Sequence, residues 1–389
     1  MDPVRNPYSP GAGRPPAALV GRDDAIAAWR VALERSALGR TDQPFVLYGL
    51  RGVGKTVLLS EFGRGAQSRE WIVAKIEAGA GKSLRELLGE SLYPVLSDLA
   101  RPSAGKRLLK ALKTALSFKA SYDTSGTWTF GLDLTSSAGG GADTGMLDTD
   151  VKKLVRDLSE GAHEEGVGLA ILVDEAQDLE PAELATLCVV AHVAAQERWP
   201  VLFSFAGLPS LPRILTEAKS YAERFTYLPI GPISNDVVGE ALTIPAEQED
   251  ASWNDDAVAL VVEASGSYPY FLQQFGQTTW TVADGPRITL PDARLGVAQG
   301  TAQLDNGFFR VRWDRATNAE QKYLRAMAED GDEGSSSGTV AARLQRKPTS
   351  LGPTRAGLIA KGLVYAPEHG IVAFTVPGMA AFIGRQVEV

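Results

Sequence analysis

Gly49-Leu50-Arg51-Gly52-Val53-Gly54-Lys55-Thr56 is the stretch from which the rest of the chain can be read. It has the spacing G-x-x-x-x-G-K-[ST]. It follows the apolar run Phe45-Val46-Leu47-Tyr48 and opens a segment with Val57, Leu58, Leu59 and Phe62 at helical spacing. Glycines let backbone N–H groups approach phosphate oxygens, and the start of a helix adds positive potential. In such a loop Lys55 reaches the β- and γ-phosphates and the Thr56 hydroxyl holds Mg²⁺. Gly49, Gly52, Val53 and Gly54 complete the cradle. The strand–loop–helix context predicts a phosphate-binding loop for ATP with Mg²⁺ instead of an ordinary Gly-rich turn.

A second stretch, Leu169-Ala170-Ile171-Leu172-Val173-Asp174-Glu175, is an apolar run ending in two carboxylates. Downstream of a phosphate-binding loop this is the Walker B position. Asp174 is expected to hold Mg²⁺ through a bound water, and Glu175 to orient and deprotonate the attacking water. Two further residues have open readings. Ser204, in Val201-Leu202-Phe203-Ser204-Phe205, is either the polar group beside the γ-phosphate or a buried serine bonded to backbone. Arg224, just before Phe225-Thr226-Tyr227-Leu228, either stabilises transition-state charge on a neighbouring subunit's nucleotide or forms a surface salt bridge. The predicted catalytic set is Glu175, Lys55 and Arg224.

Around these motifs, short apolar runs (45–48, 71–76, 169–173, 201–205 and 225–228) alternate with helical patterns. That alternation predicts an α/β fold: a parallel sheet covered by helices on both faces. Residues 1–18 are rich in Pro and Gly and read as an extended arm. Residues 19–245 read as the sheet domain, with an insertion over about 99–147. The insertion combines a basic helical stretch (Lys106 to Lys119), a hairpin pattern (Tyr122, Trp128, Phe130, Leu132) and the loop Gly139-Gly140-Gly141. Residues 246–305 look all-helical, and 306–389 have a separate texture ending in a hairpin that turns at Glu368-His369-Gly370.

With these motifs in order, the chain resembles the AAA+ ATPases, particularly the origin-recognition-complex-like group, to which the STAND-type signalling NTPases are related. The resemblance covers roughly residues 19–300. Leu19-Val20-Gly21-Arg22-Asp23 looks like the entry motif that lies against the adenine, which implicates Val20, Gly21 and Arg22 in nucleotide binding. Gly266-Ser267-Tyr268-Pro269 looks like the motif opening a lid helix over the nucleotide, which adds Pro269. Two departures stand out. The lid helix carries Tyr270, Phe271, Leu272 and Gln273 where many relatives have a sensor arginine, and the fourth strand lacks the usual Asn. Both lean toward a slow switch, not a fast motor.

The C-terminal 306–389 looks like a winged helix, with helices at Asn318 to Met327, Val340 to Leu344 and Ser350 to Ala360 and a wing at 363–374. Arg343, Arg346, Lys347, Arg355 and Lys361 are its candidate contacts to double-stranded DNA. Winged helices also bind proteins, so a protein partner in a regulatory or signalling switch is the competing expectation. Charge agrees with a local contact only. Residues 308–389 hold 11 Lys/Arg and 8 Asp/Glu, within a chain of 389 residues whose formal charge is -8. Such a chain does not coat DNA or anionic lipid along its length.

Hydrophobic residues make up 44% and charged residues 22%, which excludes wholesale disorder. Cys188 is the single cysteine, so an intrachain disulfide and a Cys-based zinc site are both excluded. The start, Met1-Asp2-Pro3-Val4-Arg5-Asn6-Pro7, has no apolar core of a signal peptide, and no run approaches ~18 apolar residues. The expectation is a cytoplasmic protein with no membrane partner, open to ATP-dependent homo-oligomerisation.

Overall fold

Strand β3 (Leu169–Asp174) has every residue buried, as happens where both faces of a sheet are covered. The computed structural model describes residues 1–79, 81–99, 110, 111, 113–115, 118, 142 and 144–386. The other strands of the sheet are β1 (Phe45–Tyr48), β2 (Ile72–Glu77), β4 (Val201–Gly207) and β5 (Thr226–Pro229). Their order is β2-β3-β4-β1-β5, with every neighbour parallel. This is the parallel, helix-flanked sheet of the P-loop NTPase fold.

The pleat sends alternate residues to two cores. Ala170, Leu172, Leu202, Ala206, Phe45 and Leu47 pack with Trp29 and Phe62, from helices Asp23–Ala37 and Lys55–Gln67. Ile171, Val173, Phe203, Phe205 and Val46 pack with Leu154, Leu158 and Leu187, from helices Leu147–Glu164 and Pro181–Glu197. Helix 147–164 buries Val151, Leu154, Val155, Leu158 and Ala162, the three- and four-residue spacing of one helical face. The Trp29 ring stacks on Phe62 at 4.7 Å and its Nε1 donates to the Phe62 carbonyl at 2.9 Å. These contacts pin the helix that follows the phosphate-binding loop.

Residues 246–305 depart from the all-helical expectation. Between helices Glu240–Glu247, Asp255–Ser265, Pro269–Val282 and Leu290–Gln303, strands β6 (Ser252–Trp253) and β7 (Arg287–Ile288) pair in parallel. Each is two residues long, too short to display a period-2 pattern. They form because Trp253 and Ile288 are buried and the flanking N–H groups need acceptors: Ser252 donates to Pro286 and Asn254 to Ile288. Helix 290–303 runs straight on through a π-helical segment, Leu304–Phe309, into helix Arg310–Asp314.

The C-terminal module has helices Asn318–Ala328, Ser337–Arg343, Gly352–Ala360 and Met379–Gly384 and strands β8 (Ser335–Ser336), β9 (Val364–Tyr365) and β10 (Ile371–Phe374). Its antiparallel sheet has the order β8-β10-β9, so a third strand joins the expected hairpin. A 3₁₀ turn, Pro348–Leu351, precedes the third helix, which starts at Gly352.

The N-terminal arm does not project. After a 3₁₀ turn at Pro3–Arg5, Tyr8 is 1% exposed, edge-on to both Trp253 and Trp280. The Trp253 Nε1 donates to the Tyr8 hydroxyl at 2.8 Å, and the Ser9 N–H donates to Gln273 Oε1 at 3.1 Å. The hairpin at Tyr122 to Leu132 and the loop at 139–141 lie outside the described residues.

Candidate nucleotide-binding site

Ligands of open parallel sheets bind beyond the carboxyl ends of the strands, and β1 delivers Gly49 to that edge between β4 and β5. The loop then turns through Gly52 and Gly54, whose φ angles of 89° and 92° suit glycine. Gly54 is the N-cap of helix 55–67, so the helix's unpaired first-turn N–H groups open into the loop.

Lys55 is 6% exposed, and its Nζ donates to the carbonyls of Gly49 at 2.9 Å and Leu50 at 2.8 Å. Among the described residues the ammonium forms no ion pair, and burial pulls its pKa down to about 8. Asp174 is buried at the end of β3, where it accepts from the Thr56 hydroxyl and from the Glu175 N–H at 3.0 Å. Burial holds its carboxyl above the usual range, even with the Thr56 hydrogen bond opposing. Thr56 and Asp174 therefore stand side by side, as a shared Mg²⁺ requires.

Glu175 has a left-handed backbone, φ 47°. Its Oε1 accepts from Arg51 Nη1 at 2.8 Å, and its Oε2 from Gln177 Nε2 at 2.7 Å. Gln177 Oε1 in turn accepts from the Leu208 N–H at 3.0 Å, just past β4. Both carboxylate oxygens are thus held. The backbone N–H of Arg51 donates to the Thr375 carbonyl at 2.9 Å, which ties the loop to the C-terminal module.

A cavity of about 310 Å³ lies over the loop. Its walls include Gly52 to Thr56, Glu175, Val20, Arg22 and Pro269, and from the arm Ser9 to Arg14. Arg22 donates to the carbonyls of Gly21, Val53 and Gly231 and so braces the loop. Phe308 and Arg312 close the cavity from the C-terminal side.

Other predicted residues fall elsewhere. Ser204 pairs with Leu172 and Phe45, while Ala206 and Gly207 lie level with the site; two residues separate them, about 7 Å along a strand. Ser204 is buried and does not line the cavity, and among the described residues its hydroxyl has no hydrogen-bond partner, so the expected backbone bond is not formed either. Arg224 is exposed and precedes β5, at the N-terminal edge of the sheet, opposite the loop. It does not reach this chain's own cavity.

The five C-terminal cations do not form one open surface. Arg343 binds Asp330 at 2.6 Å, Glu329 at 3.0 Å and the Ala326 carbonyl at 2.8 Å. Lys361 binds Glu320 at 2.6 Å and the Arg315 carbonyl at 3.0 Å, and Arg355 donates to the Ile371 carbonyl at 3.1 Å. Arg346 and Lys347 are exposed. The acceptors that engage the first three are distant in sequence, so residue type alone did not reveal them.

Sequence reasoning missed Arg51, Arg312 and the arm; Asp174-Glu175-Ala176-Gln177 resembles the AAA+ Walker B with its trailing Gln, but the hold of Gln177 on Glu175 was not read from it. Arg51 stood in a variable position of the motif, where its charge was the available signal.

Residues 18–204 match the AAA ATPase domain. Residues 306–383 match a domain of unknown function, DUF8462. No curated protein matches the chain significantly. Among solved structures, a Walker-type ATPase of Pyrococcus abyssi is similar in fold, 16% identical over 95% of this chain and 98% of its own, with TM-score 0.58. Two others are more distant. The Holliday junction branch migration motor RuvB of Thermotoga maritima is 14% identical over 95% and 96% of the two chains, TM-score 0.46. The ORC1 protein of Aeropyrum pernix, solved in complex with DNA, is 16% identical over 95% and 93%, TM-score 0.45. The match to the AAA ATPase domain covers the phosphate-binding loop, Asp174 and Glu175. No helix among the described residues is long and apolar enough to cross a membrane.

Proposed function

We propose that the chain is a slow, Mg²⁺-dependent ATPase whose nucleotide state sets the docking of a C-terminal winged helix. The observation that carries the reading is a buried ammonium, Lys55, which has no carboxylate partner among the described residues, beside the Thr56–Asp174 pair. The cavity around it is lined by Arg14, Arg22, Arg51, Lys55 and Arg312 against one carboxylate, Glu175. Such a site fits a polyphosphate. Bound Mg²⁺ would supply charge neutralisation at the phosphates, held by Thr56 and by Asp174 through water. Val20, Gly21, Arg22 and Pro269 would frame the base and the lid. Glu175 would take a proton from water, and Arg51 competes with that water for the carboxylate, which fits slow turnover.

In this reading residues 19–245 are the ATPase domain, 246–305 its lid and 306–389 the winged helix. The helix, strand and hairpin order of the last module supports that assignment. The Arg51–Thr375 contact favours a regulatory switch with a protein partner, because nucleotide at the loop and the module's position share that bond. Binding of duplex DNA is the second reading, favoured by exposed Arg346 and Lys347 beside the third helix. Arg224 would act only on a second copy's nucleotide, in an ATP-dependent homo-oligomer.

ATP turnover with and without duplex DNA at low salt separates the readings, with Glu175→Gln as control. Basal turnover that vanishes in the control and ignores DNA is the expected result. Stimulation by DNA favours the second reading, and no turnover under either condition contradicts both.

A further inference from the structure

Of the cations around the cavity, Arg312 alone comes from the run leading into the C-terminal module. Arg22 is held by three carbonyls and Arg51 by Glu175; Lys55, in its carbonyl cradle, and Arg14, from the arm, are the other cations at the cavity, both on its N-terminal side. Among the described residues Arg312 has one hydrogen bond, Nη1 to the Phe308 carbonyl at 2.6 Å, and its guanidinium carbon lies 3.9 Å from the centre of the Phe308 ring. Among the described residues it pairs with no carboxylate. Burial, reinforced by the like charge of Arg51, pulls its pKa down to about 10.

A packed path places this guanidinium. The N–H of Tyr270, the second residue of the lid helix, donates to the Gly52 carbonyl of the phosphate-binding loop at 3.3 Å. The Tyr270 ring stacks on Phe308 at 4.7 Å, and Phe308 carries Arg312. Phe308 sits in the π-helical segment 304–309. Such segments widen a helix locally, turn its later residues relative to a regular helix, and recur at functional sites. Arg51 and Arg312 thus line one cavity in which Glu175 is the one carboxylate among the described lining residues, an arrangement that an anion stabilises.

We propose that Arg312 is a phosphate-contacting residue, which binds the terminal phosphate of a nucleoside triphosphate in the cavity from the C-terminal side. It supplies the positive charge that the lid helix lacks at Tyr270, Phe271, Leu272 and Gln273. This inference rests on the nucleotide-binding reading above. A diphosphate leaves Arg312 without its partner, so the two nucleotides pull differently on the helix that enters the C-terminal module. That difference in contact is what a nucleotide-driven shift of the module requires.

The test is calorimetric binding of Mg²⁺·AMP-PNP and Mg²⁺·ADP to the full chain and to Arg312→Ala, Arg312→Gln and Arg312→Lys. A charged hydrogen bond lost from a partly buried site lowers affinity by roughly 10- to 100-fold. Arg312→Ala and Arg312→Gln should weaken AMP-PNP by that factor and ADP by less than about 3-fold, with partial recovery in Arg312→Lys. A structural role would move both nucleotides together. Equal losses, or none, overturn the proposal while the wild-type site stands. If the wild-type chain binds neither nucleotide, the nucleotide-binding reading falls and this inference with it. Melting of each variant without nucleotide identifies any that is unfolded, and Arg312→Gln, which keeps the stem over Phe308, then carries the comparison.

Discussion

The cations around the phosphate-binding loop and those of the C-terminal module look alike in sequence and behave differently in the fold. At the loop, Lys55 is cradled by carbonyls and faces a cavity whose walls add Arg14 and Arg312, while Arg51 is held by Glu175. In the module, Arg343 and Lys361 neutralise Asp330, Glu329 and Glu320 and cross-brace its own helices. A carbonyl cradle orients a cation without cancelling its charge, so the charge remains available to a ligand. A carboxylate cancels it. For Lys55 on one side and Arg343 and Lys361 on the other, the acceptor separates a cation left open to a ligand from one that holds the fold.

The comparison can be broken at several points. The largest expected effect is on hydrolysis. Glu175→Gln should lower kcat by roughly 10²- to 10⁴-fold, as for loss of a general base, with nucleotide affinity nearly unchanged. Steady-state turnover alongside calorimetry would check the split, and a parallel loss of affinity would show that Glu175 supports binding instead.

Next comes the arm. Tyr8→Ala should destabilise the chain by about 3–5 kcal/mol, the range for removing a buried aromatic side chain, seen as a lower urea midpoint. An unchanged midpoint would mean that the arm adds nothing to the segment carrying Trp253 and Trp280.

The Arg343–Asp330 pair should then show as acid sensitivity. Arg343 holds the Asp330 carboxyl down to about 2 from an ordinary 3.8. The depressed pKa means a stabilising contribution that is present above pH 4 and lost as pH falls from about 4 toward 2. Melting temperatures across that window should fall less steeply in Arg343→Ala, whose melting temperature at neutral pH is also lower. Parallel pH profiles would contradict the assignment.

The smallest effect on stability belongs to Arg346 and Lys347. Replacing both with alanine should move stability by no more than about 0.5 kcal/mol. If duplex DNA is bound there, the salt slope of binding should drop by about 2. A large stability loss would place these residues with Arg343.

The sequence made the sheet and the loop legible because their signals are local. β1, β3 and β4 are apolar runs buried on both faces, and Gly49 to Thr56 is one continuous motif. What was not legible depends on register or on distant partners. Ser204 sits in the expected strand, but its pairing with Leu172 and Phe45 places it below the site. Tyr8 stands in a Pro- and Gly-rich segment that reads only as an extended arm, with no sign of its packing, and Trp253 and Trp280 bury it. β6 and β7 exist because of the helices that bring them together. Arg312 lies more than two hundred residues from the loop in sequence and reaches its cavity through Tyr270 and Phe308.

The most direct measurement is a calorimetric titration of Mg²⁺·ATP into the full chain and into Lys55→Ala. A nucleotide site built on an unpaired ammonium should bind the wild type and lose about 100-fold, on the order of 3 kcal/mol, in the variant. Equal affinity in the two proteins would contradict the assignment of the cavity.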